Sequence, residues 1–278
     1  MKYILYNPIS GNGTACEYAE KNKCDECVAV DVTKIESYSE LLTPLTEDDV
    51  VVIVGGDGTI NRFVNDTDGI EIKAKIMYYP TGTGNDFCVD LGYPKDYDGL
   101  IDLAPYIKDL PTVTVNGTER KFINAIGFGV DGYCCEVGDE VRKTGKKANY
   151  TAIAIKGLLF HYKPTGATIT VDGVEHRYEK VWVAPTMFGG RYGGGMIPAP
   201  DQHRTNDPKT LSVMIFHGSN KLKTLIIFPK IFKGEHVKHK KHVDVLVGND
   251  ITVKFDGPRS LQIDGETVLG VTEYRAKL

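Results

Sequence analysis

The sequence predicts two domains, an N-terminal α/β domain with a doubly wound parallel sheet and a C-terminal antiparallel β-sandwich interrupted by helices. Over residues 1–111, four strand-forming stretches alternate with helical ones, and turn-forming residues follow the strands. This alternation is typical of a parallel sheet whose ligand lies at the carboxyl ends of the strands. Over residues 112–266, Asn-Gly and Asp-Gly pairs separate short strands, as in antiparallel hairpins. Residues 267–278 are a candidate segment that returns to the first domain.

The composition is that of a globular protein, with 41% hydrophobic and 25% charged residues in 278. A net charge of −4 gives no general attraction to nucleic acid, so no nucleic-acid partner is expected. No run reaches the roughly 18 apolar residues of a membrane span, and Met1–Tyr6 continues into a strand, unlike a signal peptide. We therefore expect a cytoplasmic protein whose six cysteines are reduced thiols.

The elements of the first domain follow from periodicity and turn residues. The predicted strands are Lys2–Tyr6, Val28–Val32, Val50–Val54 and Ala74–Tyr79, and the predicted helices are Ala15–Asn22, Ser37–Leu42 and Thr59–Asn65. In the second domain, strands are expected at 112–116, 119–125, 167–171, 174–184, 211–216, 243–247, 251–255 and 260–263, and helices near 133–142 and 148–161.

The turn after the third strand, Gly55-Gly56-Asp57-Gly58-Thr59, is the strongest functional signal in the sequence. Its glycines allow bare backbone to approach a ligand, and the helix that follows directs its positive dipole end to the same place, which favours a phosphate. A carboxylate beside phosphate either holds a magnesium ion or orients a water or a lysine there, so the turn indicates a magnesium–nucleotide site. The alternative is a Gly-Asp-Gly hairpin turn, which rarely follows a fully buried strand.

Two further loops also follow strands and precede helices. Asn7–Thr14 is rich in turn formers, and Pro80–Phe87 combines glycines with Thr83, Asn85 and Asp86. Asn85 and Asp86 either orient metal-bound water or cap the next helix, and the two roles are compatible. All three loops would lie at one edge of the parallel sheet.

The second domain contains two glycine-rich segments, Asn124–Asp131 and Phe188–Gly195, which either approach a ligand or form mobile loops. Nearby cations that could hold a phosphate, or form a solvated face, are Arg191, Lys143, Lys146 and Lys147. Lys221–Lys241 carries seven lysines and one glutamate among apolar residues, which suits either a membrane surface or a core-facing helix that Pro229 interrupts.

These motifs resemble the diacylglycerol kinase catalytic domain superfamily, which includes sphingosine kinases, bacterial lipid kinases and, more distantly, NAD kinases. The resemblance rests on Gly-Gly-Asp-Gly-Thr at 55–59, Asn-Pro-x-Ser-Gly at 7–11, Gly-Thr-x-Asn-Asp-Phe at 82–87 and Asp-Gly-Glu at 264–266, in the family's order. It implies an NAD-kinase-like first domain and an ATP- and magnesium-dependent kinase. The implied reaction is transfer of the γ-phosphate to a lipid hydroxyl, of diacylglycerol in the first instance.

The resemblance also implies roles for individual residues, with the nucleotide in a cleft between the domains. Asp264 would accept the proton of the lipid hydroxyl, Glu266 and Asp57 would hold or orient the metal, and Asp207 would belong to a structural magnesium site. Thr33 would contact nucleotide, or else cap the following helix. The full set of implied nucleotide contacts is Asn7, Pro8, Ser10, Gly11, Thr33, Gly55, Gly56, Asp57, Gly58, Thr59, Asn61, Thr81, Gly82, Thr83, Asn85 and Asp86.

Three positions depart from the family pattern. Arg62 replaces a common glutamate, Val89 replaces a common arginine, and Asp207-Pro208-Lys209 lacks the glycine of the family's metal segment. Two alternatives therefore stay open, an NAD kinase-like enzyme and a catalytically weak regulator that binds nucleotide or lipid. For the kinase we expect a lipid substrate. Peripheral contact with the inner membrane face and assembly into a homodimer are compatible with the sequence and stay open.

Overall fold

A computed structural model describes residues 1–145 and 148–278, so the candidate phosphate ligands Lys146 and Lys147 lie outside the described residues. The chain forms two units, Met1–Leu110 and Pro111–Leu278. The second unit includes the C-terminal residues, because the last strand pairs only with strands of that unit. Residues 267–278 therefore belong to the second unit and do not return to the first domain, contrary to the expectation from the sequence.

The first unit alternates strands and helices as the sequence predicts, with element ends shifted by a few residues. Its strands are β1 (Lys2–Tyr6), β2 (Cys27–Asp31), β3 (Val50–Gly55), β4 (Lys75–Pro80) and β5 (Ile101–Asp102). Its helices are α1 (Thr14–Lys21), α2 (Tyr38–Leu42), α3 (Asp57–Asp66), α4 (Asp86–Asp90) and α5 (Ala104–Ile107), with 3₁₀ turns at Ser10–Gly13 and Val32–Lys34.

The sheet of this unit has the order β2-β1-β3-β4-β5. Strands β1 to β4 are parallel, and the short β5, which the sequence analysis missed, is antiparallel to β4. The central strand β3 is buried from Val51 to Gly55, as its β-branched run predicts. Parallel strands have their carboxyl ends at one edge, so the loops after β1, β3 and β4 are neighbours there.

The second unit is an antiparallel sheet with helices inserted between its strands. Its strands are β6 (Thr112–Val115), β7 (Thr118–Lys121), β8 (Ala125–Phe128), β9 (Thr165–Val171), β10 (Val174–Val181), β11 (Thr186–Met187), β12 (Leu211–Phe216), β13 (Val243–Gly248), β14 (Asp250–Ile263) and β15 (Glu266–Lys277). Its helices are α6 (Val130–Lys143), α7 (Tyr150–Lys156), a π-helical turn (Gly157–His161) and α8 (Lys221–Ile227), followed by 3₁₀ segments at Phe228–Lys233 and Glu235–Lys238.

The long hairpin β14–β15 organises this sheet. The first part of β14 pairs with β9, its last three residues pair with β8, and β15 pairs with β14 and with β6. Register shifts between Lys254 and Leu261 mark the change of partner. The sequence analysis divided β14 into two strands because Gly257 and Pro258 are typical turn residues, and it missed the two-residue β11. The predicted fold class is otherwise confirmed for both units.

The cysteines differ from the prediction. Cys24 and Cys27 form a disulfide in the turn before β2, with their Cα atoms 5.0 Å apart. The turn itself brings the pair together, because the Cys27 N–H donates to the Cys24 carbonyl over 3.0 Å. The expectation of reduced thiols was wrong for this pair, whereas Cys16, Cys88, Cys134 and Cys135 are free thiols.

Among residues 1–145 and 148–278, every helix is too short or too polar to cross a bilayer.

The core under the long hairpin contains a buried pair of hydroxyl groups. Phe128 lies against Phe255 and Tyr274, with ring centroids 4.6 and 5.6 Å apart. The Tyr274 hydroxyl lies 2.7 Å from Thr186 Oγ1, and both side chains are fully buried. The Tyr274 hydroxyl also donates to the Ala184 carbonyl over 3.4 Å, whereas the buried Thr186 hydroxyl depends on Tyr274 for its hydrogen bond.

We therefore predict that Tyr274→Phe lowers the free energy of unfolding of the second unit by about 1–2 kcal/mol, since the Thr186 hydroxyl loses its partner. Adding Thr186→Val should recover part of this loss, because both partners are then apolar. The measurement is urea unfolding followed by fluorescence of Trp182, the single tryptophan, which is buried in this unit. The exposed Tyr150→Phe is the control, and strict additivity of the two buried changes would contradict the prediction.

Candidate functional site

The three motif loops of the first unit converge. The loop after β1 is fixed to β3 by the Asn7 N–H, which donates to the Val54 carbonyl over 3.2 Å, and Thr81 N–H donates to the Gly55 carbonyl over 2.8 Å. The hydroxyls of Ser10 and Thr81 lie 3.4 Å apart. The structure thus brings together the loops to which the sequence analysis assigned the nucleotide.

Three glycines of these loops, Gly11, Gly56 and Gly82, are needed for contact between the loops themselves. A Cβ on Gly56 would lie 3.0 Å from the Gly82 Cα, and a Cβ on Gly82 would lie 2.7 Å from the Gly56 Cα. Gly11 has a positive φ of 61°, and a Cβ there would lie 2.3 Å from the Thr81 carbonyl oxygen. Gly58 differs, because a Cβ there would meet nothing within 4 Å. Among these four glycines, only Gly58 is open to a ligand.

Asp57 begins α3 and holds the loop after β4. Its Oδ2 accepts the Asp86 N–H over 2.9 Å, and its Oδ1 accepts the Phe87 N–H over 3.1 Å. The carboxylate therefore caps the first turn of α4. Metal and nucleotide roles were predicted for Asp57 from the sequence, whereas its capping role requires the three-dimensional structure.

Asn85 carries a buried acceptor. It adopts a left-handed backbone conformation, and its Nδ2 donates to the Lys95 carbonyl over 2.8 Å, which fixes the orientation of the amide. Its Oδ1 is buried and has no hydrogen-bond donor among the described residues. A buried acceptor of this kind is costly unless a ligand or a bound water supplies the donor. This oxygen faces Gly82, where the loops meet.

Thr33 lies in the 3₁₀ turn after β2. Its N–H and its hydroxyl donate to Asp31 Oδ1 over 2.9 and 2.7 Å, and these bonds lower the pKa of the Asp31 carboxyl. The next helix, α2, is capped by Ser37, which accepts the Glu40 N–H over 3.2 Å. The capping alternative for Thr33 is therefore wrong, and its nucleotide contact stays a prediction.

In the second unit, Asp264 stands in the turn between β14 and β15. Asp264 and Gly265 both have positive φ, so the hairpin-turn interpretation is right for the backbone. The carboxylate has a further role, because it accepts the N–H groups of Ile123, Asn124 and Ala125 over 2.6, 2.8 and 2.9 Å. Asp264 thus fixes the chain immediately before β8.

Burial raises the pKa of the Asp264 carboxyl, while the three N–H donors and the charge of Arg204 oppose that shift. Arg204 is itself buried and donates to the Ile123 carbonyl and to Asn124 Oδ1, over 2.9 and 2.6 Å. The sequence analysis missed Arg204. The signal it could have used is weak, a single arginine in an irregular stretch rich in polar residues.

The glycine-rich segment Phe188–Gly195 is anchored to this cluster. The N–H groups of Phe188 and Gly189 both donate to the Asn124 carbonyl over 3.0 Å, and a Cβ on Gly189 would lie 2.4 Å from Arg204 Nη2. These bonds do not fit the alternative of a mobile loop. Arg191 in this segment is partly exposed, and Lys143 is exposed at the end of α6.

Asp131, in the other glycine-rich segment, is a buried carboxyl. Its Oδ2 accepts the Tyr192 hydroxyl over 3.0 Å and its Oδ1 accepts the Gly132 N–H over 2.9 Å. Burial raises its pKa to about 6, although both bonds act in the opposite direction. Because the side chain is enclosed and joined to Tyr192, it positions the glycine-rich segment.

A cavity of about 380 Å³ lies beside the part of β14 where the register shifts, between Tyr133, Tyr162, Arg259 and Ser260. The Tyr162 hydroxyl and Arg259 Nε are buried without a hydrogen-bond partner among the described residues. The cavity can therefore offer hydrogen-bond donors to a polar group.

The remaining predicted metal ligands are not gathered into one group. Glu266 Oε2 forms an ion pair with Arg120 Nη1 over 2.5 Å and is about half exposed. Asp207 is exposed and precedes a cis proline. Among residues 1–145 and 148–278, no three Cys, His, Asp or Glu side chains are arranged to hold a metal ion. The metal roles of Glu266 and Asp207 stay predictions without a supporting set of protein ligands.

Comparison with known proteins is consistent with this architecture. Residues 2–113 match the model of the diacylglycerol kinase catalytic domain, and residues 124–276 match the YegS C-terminal NAD kinase beta sandwich-like domain. A diacylglycerol kinase of Bacillus subtilis is 26% identical over 284 residues, covering 95% of this chain and 88% of that protein. A diacylglycerol kinase of Mycobacterium tuberculosis is 26% identical over 248 residues, covering 84% and 79%.

A solved structure shares the fold across both units. The crystal structure of a diacylglycerol kinase from Bacillus anthracis strain Sterne matches with a TM-score of 0.62 and 17% identity, covering 99% of this chain and 92% of that chain. At this identity the likeness concerns the fold alone. The family matches together span both units, and the second of them alone covers more than half of the chain. The chain therefore belongs to the diacylglycerol kinase superfamily, with a diacylglycerol kinase catalytic domain followed by a YegS C-terminal NAD kinase beta sandwich-like domain.

Proposed function

We propose that this lipid kinase transfers the γ-phosphate of ATP to a lipid hydroxyl, with diacylglycerol as acceptor and phosphatidic acid as product. The observation that carries the proposal is the convergence of the loops after β1, β3 and β4, where Gly58 is open and Asn85 presents a buried acceptor. The relatives named diacylglycerol kinase support the choice of acceptor.

The first unit supplies the groups for nucleotide binding. The amino terminus of α3 lies at the convergence of the loops, and its dipole favours the negative charge of phosphate. The neighbouring hydroxyls of Ser10 and Thr81 can both donate to phosphate oxygens. Close contact between Gly56 and Gly82 keeps the loops in fixed positions, so little ordering is needed when ATP binds.

The donor set at the loops suits magnesium, because the Asp57 carboxylate and the Asn85 amide oxygen are the kind of hard ligand that the ion prefers. When bound, magnesium neutralises charge on the transferring phosphate. Asp57 and Asn85 would hold it through its water ligands, which is the usual mode for an ion that dehydrates reluctantly.

The second unit supplies the proton acceptor. In the proposed step, the lipid oxygen forms a bond to the γ-phosphorus while the bond to the ADP oxygen breaks, and the hydroxyl proton passes to Asp264. A carboxyl whose pKa is raised by burial is a stronger base than an exposed aspartate. Its three backbone donors hold the carboxylate in one orientation.

Transfer from labelled ATP to a lipid panel tests this proposal. The panel contains diacylglycerol, a sphingoid base, phosphatidylglycerol and undecaprenol, together with NAD. Label in diacylglycerol supports the proposal. Label in NAD alone would identify an NAD kinase-like enzyme, and no label in any acceptor would indicate a binding protein.

For Asp57 we predict that Asp57→Asn weakens ATP binding at least tenfold in the presence of magnesium and much less in its absence. The amide keeps the size of the side chain but loses the charge that holds the ion's water. Asparagine also loses one acceptor for the first turn of α4, at a cost of about 1 kcal/mol. Calorimetric titration with ATP, with and without magnesium, measures the effect.

Ser37→Ala is the matched control for Asp57, because it removes the cap of α2 and leaves the three loops unchanged. Equal loss of ATP affinity with and without magnesium would show that Asp57 acts only as a helix cap.

For Asp264 we predict that Asp264→Asn lowers the rate of transfer by about 10²- to 10⁴-fold, the usual contribution of a general base, while ATP affinity is retained. An Asn-Gly turn suits the backbone, but an amide cannot accept all three N–H groups that the Asp264 carboxylate accepts. We therefore also expect the second unit to lose about 1–3 kcal/mol of stability.

Gly265→Ala separates the effect of Asp264→Asn on the transfer rate from its effect on stability. It strains the same turn, where Gly265 has a φ of +92°, and keeps the carboxylate. The rate should fall far less in Gly265→Ala than in Asp264→Asn at comparable stability. If both variants lose activity in proportion to stability, Asp264 has no part in proton transfer.

A further inference from the structure

Two segments of the second unit expose large apolar side chains. Phe160, at the end of the π-helical turn, is 72% exposed, and Ile155 of α7 is 48% exposed. On α8, Leu222 is 72% and Ile226 is 65% exposed, and their spacing of four residues places them on one face. We call these four residues the apolar ridge.

The two segments of the apolar ridge lie side by side. Lys221 Nζ at the start of α8 donates to the Leu159 carbonyl over 2.6 Å. Beneath them, Leu158 and Ile227 are buried in the same core cluster. Since the inner faces of both segments share one core, the exposed faces are neighbours on the same side of the unit. Apolar side chains that are exposed singly need no explanation, but a group of four on adjacent segments does.

A basic groove of about 500 Å³ adjoins the apolar ridge. Ile226 belongs to both, and the groove is completed by Ile227 and six basic or titratable side chains. These are Lys223, Lys238, His239, Lys240, Lys241 and His242. Glu235 is the single carboxylate in Lys221–Lys241 and lies 3.7 Å from Lys238, in an exposed pair that neutralises little. The groove is thus strongly cationic in a protein whose net charge is −4.

We propose that the apolar ridge and the basic groove together form a docking surface for a bilayer rich in anionic phospholipid. Lysines attract the phosphate headgroups, and the ridge enters the boundary between headgroups and acyl chains. Binding of a soluble phosphate would involve the basic groove alone, and binding of an apolar protein partner would involve the apolar ridge alone. A bilayer with anionic headgroups uses both features. The inference rests on the proposed function, since an enzyme that phosphorylates a membrane lipid must reach it at the surface.

The surface differs from the one that the sequence pattern indicated. Within Lys221–Lys241, Ile231 is buried and Leu225 and Phe228 pack against the core, so only part of the apolar stripe is available. Ile155 and Phe160 come from a segment more than 60 residues earlier in the chain.

The groove is tested by the triple variant Lys223→Gln, Lys240→Gln and Lys241→Gln in the full-length protein. Each lysine near an anionic surface strengthens binding about fivefold, so co-sedimentation with vesicles of phosphatidylglycerol and phosphatidylcholine should weaken about 100-fold at low salt. The control replaces Lys73, Lys75 and Lys108, which are exposed in the first unit, with glutamine. Equal binding by the parent and the groove variant overturns the proposal, as does equal binding of the parent to pure phosphatidylcholine vesicles.

The ridge is tested by Phe160→Ser with Leu222→Ser, against Val174→Ser with Val247→Ser, which are exposed at 59% and 57% elsewhere in the same unit. We expect the ridge variant to lose at least tenfold in vesicle binding and the control to match the parent. An unchanged ridge variant overturns the proposal. Displacement of the parent from vesicles by millimolar glycerol phosphate also overturns it, because the groove would then be a site for free phosphate.

Kinase assays separate this inference from the proposed function. With lipid in neutral detergent micelles, the groove and ridge variants should phosphorylate as fast as the parent, and on anionic vesicles they should be slower by the factor measured in sedimentation. Absence of lipid phosphorylation by the parent in micelles would contradict the proposed function, while the vesicle measurements would still decide the docking surface. Equal slowing of a variant in micelles and on vesicles overturns the docking role.

Discussion

The hydrogen bonds that the Asp264 carboxylate accepts hold the candidate site of the second unit in place. Three consecutive backbone N–H groups, those of Ile123, Asn124 and Ala125, end on this one side chain. Through Asn124 it is connected to Arg204 and to the glycine-rich segment Phe188–Gly195. A charged acceptor of several N–H groups is among the stronger hydrogen-bonding arrangements in proteins. The turn, the start of β8 and the glycine-rich segment therefore form a single rigid cluster.

In the first unit, an aspartate carboxylate likewise accepts consecutive backbone N–H groups. Asp57 accepts two consecutive N–H groups at the start of α4 and so fixes the loop after β4 to the loop after β3. In both units, the carboxylate that the proposed chemistry requires also orders the backbone around it. This dual use gives a preorganised site, because the side chain cannot turn away without breaking bonds to the main chain. It also means that no substitution of either aspartate tests chemistry alone.

Periodicity and turn residues predicted much of the fold. Strands β1 and β12 were predicted with their observed ends, because each is a short run of strand-forming residues that turn formers follow. Strand β14 was divided in two, since Gly257 and Pro258 are typical turn residues and the sequence does not reveal that one strand continues through them with a shifted register. The site motifs were found because glycine and aspartate are conspicuous in sequence. The capping by Asp57, the buried Arg204 and the apolar ridge were not found, because each depends on residues that are distant in the chain.

The shift of register between β14 and β15 has a consequence for where residues can be added to this hairpin. On a strand, an insertion of one residue reverses which side chains face the core. The register between β14 and β15 already shifts between Lys254 and Leu261, so an added residue there can be absorbed as a further bulge. Between Leu261 and Ile263 there is no such freedom, because these residues pair with β8 and the next residue is Asp264. Insertions and deletions can therefore be tolerated between Lys254 and Leu261. The last three residues of β14 must keep their number, because they set the position of Asp264 relative to β8.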